Sequence, residues 1–259
     1  MRRGPGTLGS RLLGLSLALA AAACSPAGAP PVPGAARQDE AGYLPPPVIE
    51  RIEAAGTATR LEGRSPAGAR VRLAAPAGGE FVTQADSSGR WSLEVPGAGQ
   101  SRVLGLSQIV EGRTTQAEGY VFLAPDGSAW LLRSGGAART LGPGTARGLV
   151  IDYDRSGGAV VSGAGPANAL LVAQLDGRRA GEGRVDAAGR FEIRLNGPAP
   201  MGESRLRVFG EGLNLETLLR LSPPSPPAAG PVSVQDRGEG LRIDWMTPAG
   251  GVQTTQVLR

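Results

Sequence analysis

From residue 48 onward, apolar side chains recur at every second position in short runs, and each run ends in Gly, Pro, Asp or Ser. A period of two marks strands with one face toward a core. The pattern predicts strands over residues 48–52, 57–63, 69–75, 80–85, 90–95, 102–110 and 117–123. In the clearest of these, Trp91, Leu93 and Val95 share one face and Ser92 and Glu94 the other. About seven short strands with turn signals between them predict a sandwich.

The pattern returns one hundred residues later. Residues 61–95 align without a gap with residues 161–195, and seven of the 35 pairs are identical: Gly63/Gly163, Pro66/Pro166, Ala67/Ala167, Ala69/Ala169, Asp86/Asp186, Gly89/Gly189 and Arg90/Arg190. The matches fall on turns and their flanking strands. Pro66-Ala67-Gly68 and Pro166-Ala167-Asn168 fit a tight turn, with Pro presetting φ and Gly or Asn tolerating a positive φ. Asp86-Ser87-Ser88-Gly89 and Asp186-Ala187-Ala188-Gly189 fit a hairpin loop, followed by Trp91, Leu93, Val95 in one copy and Phe191, Ile193, Leu195 in the other. The same offset pairs Glu111-Gly112 with Glu211-Gly212. The chain therefore reads as two copies of one antiparallel β domain. In the second copy, residues 213–221 also fit a short helix through Leu215, Leu218 and Leu219.

The run from Gly through Pro-Ala-Gly/Asn-Ala to Asp-x-x-Gly-Arg-Trp/Phe resembles the bacterial Ig-like repeats of envelope and adhesin proteins. The segment Ser65-Pro66-Ala67-Gly68-Ala69-Arg70-Val71 has one residue more between Pro and Gly than the usual repeat. The resemblance implies an all-β fold of two tandem Ig-like β-sandwich domains, one over 48–140 with a trailing hairpin and one over 149–221. Two additional β-hairpins extend the pattern, one turning at Ala124-Pro125-Asp126-Gly127-Ser128 and one at Thr247-Pro248-Ala249-Gly250-Gly251. The second belongs to a C-terminal β-hairpin segment over 232–259, reached through a stiff Pro-rich linker over 222–231. It folds back on a domain or offers an edge to a partner, and its Trp245 reads as a packing anchor.

Arg2 and Arg3 precede an uncharged run from Leu12 to Ala23 that ends at Cys24. A positive start, a short apolar run and small residues before a cut site describe a signal peptide over residues 1–23. About twelve residues fall short of the roughly 20 that cross a bilayer as a helix. Ala21-Ala22-Ala23-Cys24 resembles the lipobox of bacterial lipoproteins, with Ala21 where that family usually has Leu. The resemblance implies lipid attachment at Cys24, the sole cysteine, and a membrane anchor through the N-terminal lipid. Ser25 stands where enterobacterial lipoproteins kept in the inner membrane carry Asp, which implies the outer membrane of a Gram-negative bacterium, facing the periplasm. Residues 24–47 carry Pro26, Pro30, Pro31, Pro33, Pro45, Pro46 and Pro47 and form a semi-extended tether.

Composition narrows the chemistry. The chain of 259 residues has 27 basic side chains, all arginine, 23 acidic ones and no histidine. Histidine-based triads and metal sites are excluded, as are lysine-based phosphate clamps and Schiff bases. Once Arg2, Arg3 and Arg11 leave with the signal peptide, 24 arginines face 23 acids, so net charge does not indicate a nucleic-acid partner. Asp152-Tyr153-Asp154-Arg155-Ser156-Gly157 begins like a calcium loop, but Gly163 stands where the bidentate glutamate belongs. Gly63-Arg64-Ser65-Pro66-Ala67 lacks the second Gly of a nucleophile elbow. Arg90 and Arg190 recur as a possible anion-binding or interface feature, against the plainer reading of solvated side chains.

No catalytic residue, metal ligand or cofactor site emerges. The expectation is a non-enzymatic, lipid-anchored cell-envelope protein acting as a structural or protein-interaction module. The alternatives are recognition of a cell-wall glycan through exposed Trp and Arg side chains, or an accessory subunit of a secretion, pilus or transport assembly.

Overall fold

The computed structural model describes residues 43–76, 78–97, 99–125, 127–141, 148–238 and 240–258. The signal peptide, Cys24 and the tether as far as residue 42 lie outside the described residues. The chain divides into Met1–Tyr43 and Leu44–Arg259, and the fold described is that of the second unit.

Nineteen strands and no helix form among the described residues. The first copy contains β1 (Val48–Ala55), β2 (Ala58–Arg64), β3 (Arg70–Ala74), β4 (Glu80–Gln84), β5 (Arg90–Pro96), β6 (Arg102–Val110) and β7 (Arg113–Leu123), followed by β8 (Ala129–Arg133) and β9 (Arg139–Thr140). The second contains β10 (Val150–Asp154), β11 (Ala159–Ala164), β12 (Leu170–Leu175), β13 (Arg178–Arg184), β14 (Arg190–Arg194), β15 (Gly202–Gly210) and β16 (Leu213–Leu221), followed by β17 (Val232–Asp236), β18 (Gly240–Met246) and β19 (Val252–Leu258).

The duplication extends to hydrogen bonds. Ala69 N–H donates to Pro66 O at 3.0 Å, and Ala169 N–H to Pro166 O at 3.1 Å. Gly68 (φ 74°) and Asn168 (φ 66°) both occupy the left-handed region that the turn requires. In the hairpin loops, Asp86 Oδ1 accepts from the N–H groups of Ser88 and Arg90, and Asp186 Oδ1 from those of Ala188 and Arg190. These bonds favour the ionised carboxylate and hold both groups below the ordinary aspartate value. For Asp86 the largest cause is the bond from the Ser88 hydroxyl, and for Asp186 the bond from Arg190 N–H.

Each sandwich pairs a sheet in the order β1-β2-β5 or β10-β11-β14 with one in the order β4-β3-β6-β7 or β13-β12-β15-β16. Gly63 is the register partner of Trp91, and Gly163 of Phe191. A Cβ on Gly63 would lie 2.0 Å from Val48 O and 2.5 Å from Trp91, and one on Gly163 would lie 2.9 Å from Phe191. Glycine is needed at Gly63 because the main-chain oxygen of Val48 and the Trp91 ring leave no room for a Cβ, and at Gly163 because the Phe191 ring lies across it.

The additional strands break the symmetry. In the first sandwich, β8 and β9 lengthen the sheet that ends in β7. In the second, β19, β18 and β17 join the other sheet, through β19 against β10. The C-terminal segment is thus a three-stranded meander, one strand more than the expected hairpin, and it completes the second sandwich. Residues 213–221 form β16, not a helix. The strand pairs with β15 from Gly202↔Leu221 to Gly210↔Leu213, and Leu219 and Leu221 are buried while Leu218 is exposed.

Alternation along the lengthened sheets serves two cores at once. Val121, Leu123, Ala129 and Leu131 point into the first sandwich, whereas Phe122, Trp130 and Leu132 point outward. Ile151, Tyr153 and Leu258 point into the second sandwich, whereas Val150 and Val257 point outward. The outward sets meet Leu241, Ile243 and Trp245 of β18 in a third core between the domains. Trp245 is fully buried, stands edge-on to Tyr120 at 6.0 Å between ring centroids, and donates from Nε1 to Thr255 Oγ1 at 3.2 Å. Each large apolar side chain buried here contributes about 1.5–3 kcal/mol, so the sandwiches are joined by a hydrophobic interface and not by the linker alone.

Candidate binding cleft between the sandwiches

Polar side chains of the second sandwich seal the rim of the third core by gripping the turn after β8. Gln253 of β19 accepts from Gly135 N–H at 3.0 Å and donates to Arg133 O at 3.0 Å. Asp152 of β10 accepts from Ala138 N–H at 2.7 Å and from Thr255 Oγ1 at 2.5 Å. Asp152 has no cation bonded to it among the described residues, and burial pushes its carboxyl up to about 7 against the pull of these donors.

A second buried polar cluster lies on the opposite face of β18. Arg242 and Asp244 form a two-pronged ion pair with both bonds at 2.8 Å, and their side chains are only 2% and 3% exposed. Arg242 also donates to the Tyr153 hydroxyl at 2.8 Å, Ser222 Oγ at 2.7 Å and Pro223 O at 3.1 Å. Burial by itself would lower the guanidinium, but its bonds to Asp244 and Tyr153 hold it above its ordinary value. The start of the Pro-rich linker is therefore tied down, with Arg155 Nε donating to Pro224 O at 3.0 Å as a further tie.

Residues of β9 and β14 border a cleft of about 560 Å³. Four arginines line it, Arg133, Arg139, Arg184 and Arg190, with Glu118, Asp186 and Glu192. Arg133 pairs with Glu192 at 2.8 Å and lies 3.7 Å from Glu118, and Arg190 pairs with Asp186 at 2.9 Å. Arg184 donates to the main-chain oxygen of Asn168 at 2.6 Å. Arg139 makes neither an ion pair nor a side-chain hydrogen bond among the described residues. Burial lowers its guanidinium from the ordinary value, and repulsion from Arg190 and Arg133 acts in the same direction against attraction from Glu118 and Glu192. A second hollow of about 680 Å³, beside β1, is also lined by Arg139 and Arg190.

No known protein family matches the chain, and no curated protein matches it in sequence. Among solved structures, the chain is similar to a BSP domain of a biofilm-associated protein (TM-score 0.26, 11% identity, covering 71% of this chain and 30% of that one). It is also similar to a central fibronectin-III array of RIM-binding protein (0.28, 13%, covering 81% and 88%) and to invasin, a bacterial integrin-binding protein (0.21, 14%, covering 78% and 51%). The chain thus spans under a third of the first of these. With TM-scores of this size, none of them defines the role of this chain.

The residues singled out in the sequence have separate fates. Arg190 lines the cleft, whereas its counterpart Arg90 does not. Asp152 and Asp154 are engaged separately: the first is committed to the domain joint, and Asp154 Oδ1 closes its own turn on Ser156 and Gly158. No group of three or more acidic or sulfur ligands is gathered among the described residues. The exposed tryptophans that the glycan alternative calls for are not found, because Trp91, Trp130 and Trp245 are 3%, 1% and 0% exposed, and Trp245 is the packing anchor its sequence position suggested. Arg139 had no sequence signal, since its position depends on the third core.

Proposed function

We propose that the chain is a non-enzymatic, lipid-anchored protein of the bacterial cell envelope that acts as a two-domain interaction module. The observation that carries this reading is the third core, which makes one body of two sandwiches and places an arginine-lined cleft at their junction. Arginine presents a rigid fork of donors suited to carboxylates and keeps its charge, so the cleft favours binding over chemistry. The residue set agrees, with no imidazole, no amine nucleophile and a single thiol at Cys24.

The anchor rests on Cys24 and the apolar run before it, and the outer membrane is the proposed location by the resemblance at Ser25. The tether would hold the sandwiches clear of the lipid surface at up to about 3.1 Å per residue. A protein partner is favoured over a cell-wall glycan because every tryptophan is spent in a core.

Two experiments test the reading. Cys24→Ser should release the protein from the membrane fraction and abolish palmitate labelling. Retention of the variant together with an unlabelled wild type would refute the anchor. Crosslinking in intact cells should recover one dominant protein partner, whereas retention on purified cell wall without such a partner would favour the glycan alternative.

A further inference from the structure

We infer that the cleft between the sandwiches binds an acidic peptide segment, whose carboxylate is received by Arg139. The inference rests on the interaction-module reading and names the chemistry of the partner. Seven charged side chains among the described residues line the cleft, and its three carboxylates lie against other arginines, Asp186 against Arg190 and both Glu192 and Glu118 against Arg133. Arg139 stands among them half-buried, drawn toward Glu118 and Glu192 at longer range but in no direct ion pair or side-chain hydrogen bond among the described residues. A guanidinium that has lost part of its hydration, and whose nearby acids are shared with other arginines, is relieved by an incoming carboxylate through short charge-assisted bonds in a bidentate arrangement.

A second observation selects peptide over other acids. Among the described residues β9 is an edge strand that pairs only with β8, with Leu131↔Arg139 and Trp130↔Thr140 in register. Leu141 N–H donates to Ala129 O at 2.8 Å, so by the alternation of an antiparallel ladder the N–H and C=O of Thr140 turn away from β8. Thr140 lines both hollows beside Arg139. An extended chain can therefore hydrogen-bond Thr140 while an acidic side chain reaches Arg139, a short form of strand addition. The cleft volume of about 560 Å³ accommodates a few residues.

The test uses the full-length chain purified in detergent and fluorescein-labelled hexaglutamate at low salt, read by anisotropy. Saturable binding is expected in the wild type. Arg139→Gln should weaken it by about tenfold or more, as for loss of one charge-assisted pair. Arg205→Gln, on an outer sheet face where Arg205 pairs with Glu216 at 2.7 Å, should leave it unchanged. Absence of saturable binding, or equal weakening in both variants, overturns the inference. Tighter binding of polygalacturonate with the same dependence on Arg139 overturns the peptide assignment. Cellular crosslinking separates the two levels. A partner captured equally by wild type and Arg139→Gln refutes the cleft and leaves the interaction module standing, whereas no partner for the wild type refutes the module itself.

Discussion

Asp152 of the second sandwich accepts a 2.7 Å hydrogen bond from the main-chain N–H of Ala138, so a buried carboxyl of one sandwich closes the turn between β8 and β9 of the other. Its folded value of about 7 lies above the ordinary aspartate value of 3.8, so between these limits the folded state holds a proton that the unfolded state has released. Stability then falls as pH rises from about 4 to about 7 and is flat above, with a slope of up to about 1.4 kcal/mol per pH unit from this group. Asp152→Asn should remove that slope and raise the melting temperature at pH 8 more than at pH 5. An unchanged pH profile of thermal unfolding would show that the carboxyl is not protonated in the fold.

The paired glycines predict an ordered effect. Gly63→Ala places a Cβ 2.0 Å from a main-chain oxygen, whereas Gly163→Ala meets only ring and side-chain carbons, the closest at 2.9 Å. Both should destabilise, Gly163→Ala by about 1–3 kcal/mol and Gly63→Ala by more. Phe191→Leu should recover part of the first loss, and Trp91→Leu little of the second, as measured by urea unfolding.

Arg242→Met should cost about 3–5 kcal/mol, because Asp244 is left charged in a site that is almost completely shielded from water. Replacing both, Arg242→Met with Asp244→Leu, should return most of that loss. A double variant as unstable as the single one would show that the bonds to Tyr153 and Ser222 matter more than the ion pair.

Trp245→Ala removes the largest fully buried side chain of β18 and should destabilise by about 3–5 kcal/mol. Calorimetry distinguishes this loss from a local one. The wild type should unfold in one transition, and the variant should separate into two as the domains uncouple.

Alternation made the seven strands of the first copy legible, and the one-hundred-residue offset carried the same pattern to the second. The third core was legible only as an anomaly. Tyr120 to Ala124, Ala129 to Leu132 and Leu149 to Ile151 are apolar without a break, the mark of strands covered on both faces. Nothing in the sequence says what covers them, because Trp130 and Trp245 enter one core through tertiary packing alone. The cleft was hidden for the same reason. Arg139 and Arg190 belong to different domains, and their convergence follows from the domain docking. At residues 213–221, pairing with β15 overrode a helical spacing of leucines.

The lengthening of the second sandwich by β17, β18 and β19 sets an order of events for a chain that emerges N-terminus first. Thr255 and Asp152 are 103 residues apart, and Gln253 and Gly135 are 118 apart. Both domains must be threaded across before the strands that weld them arrive. Until then Phe122, Trp130 and Leu132 have no cover from β18, so the two domains assemble as loosely strung beads and become a single unit only in the final step.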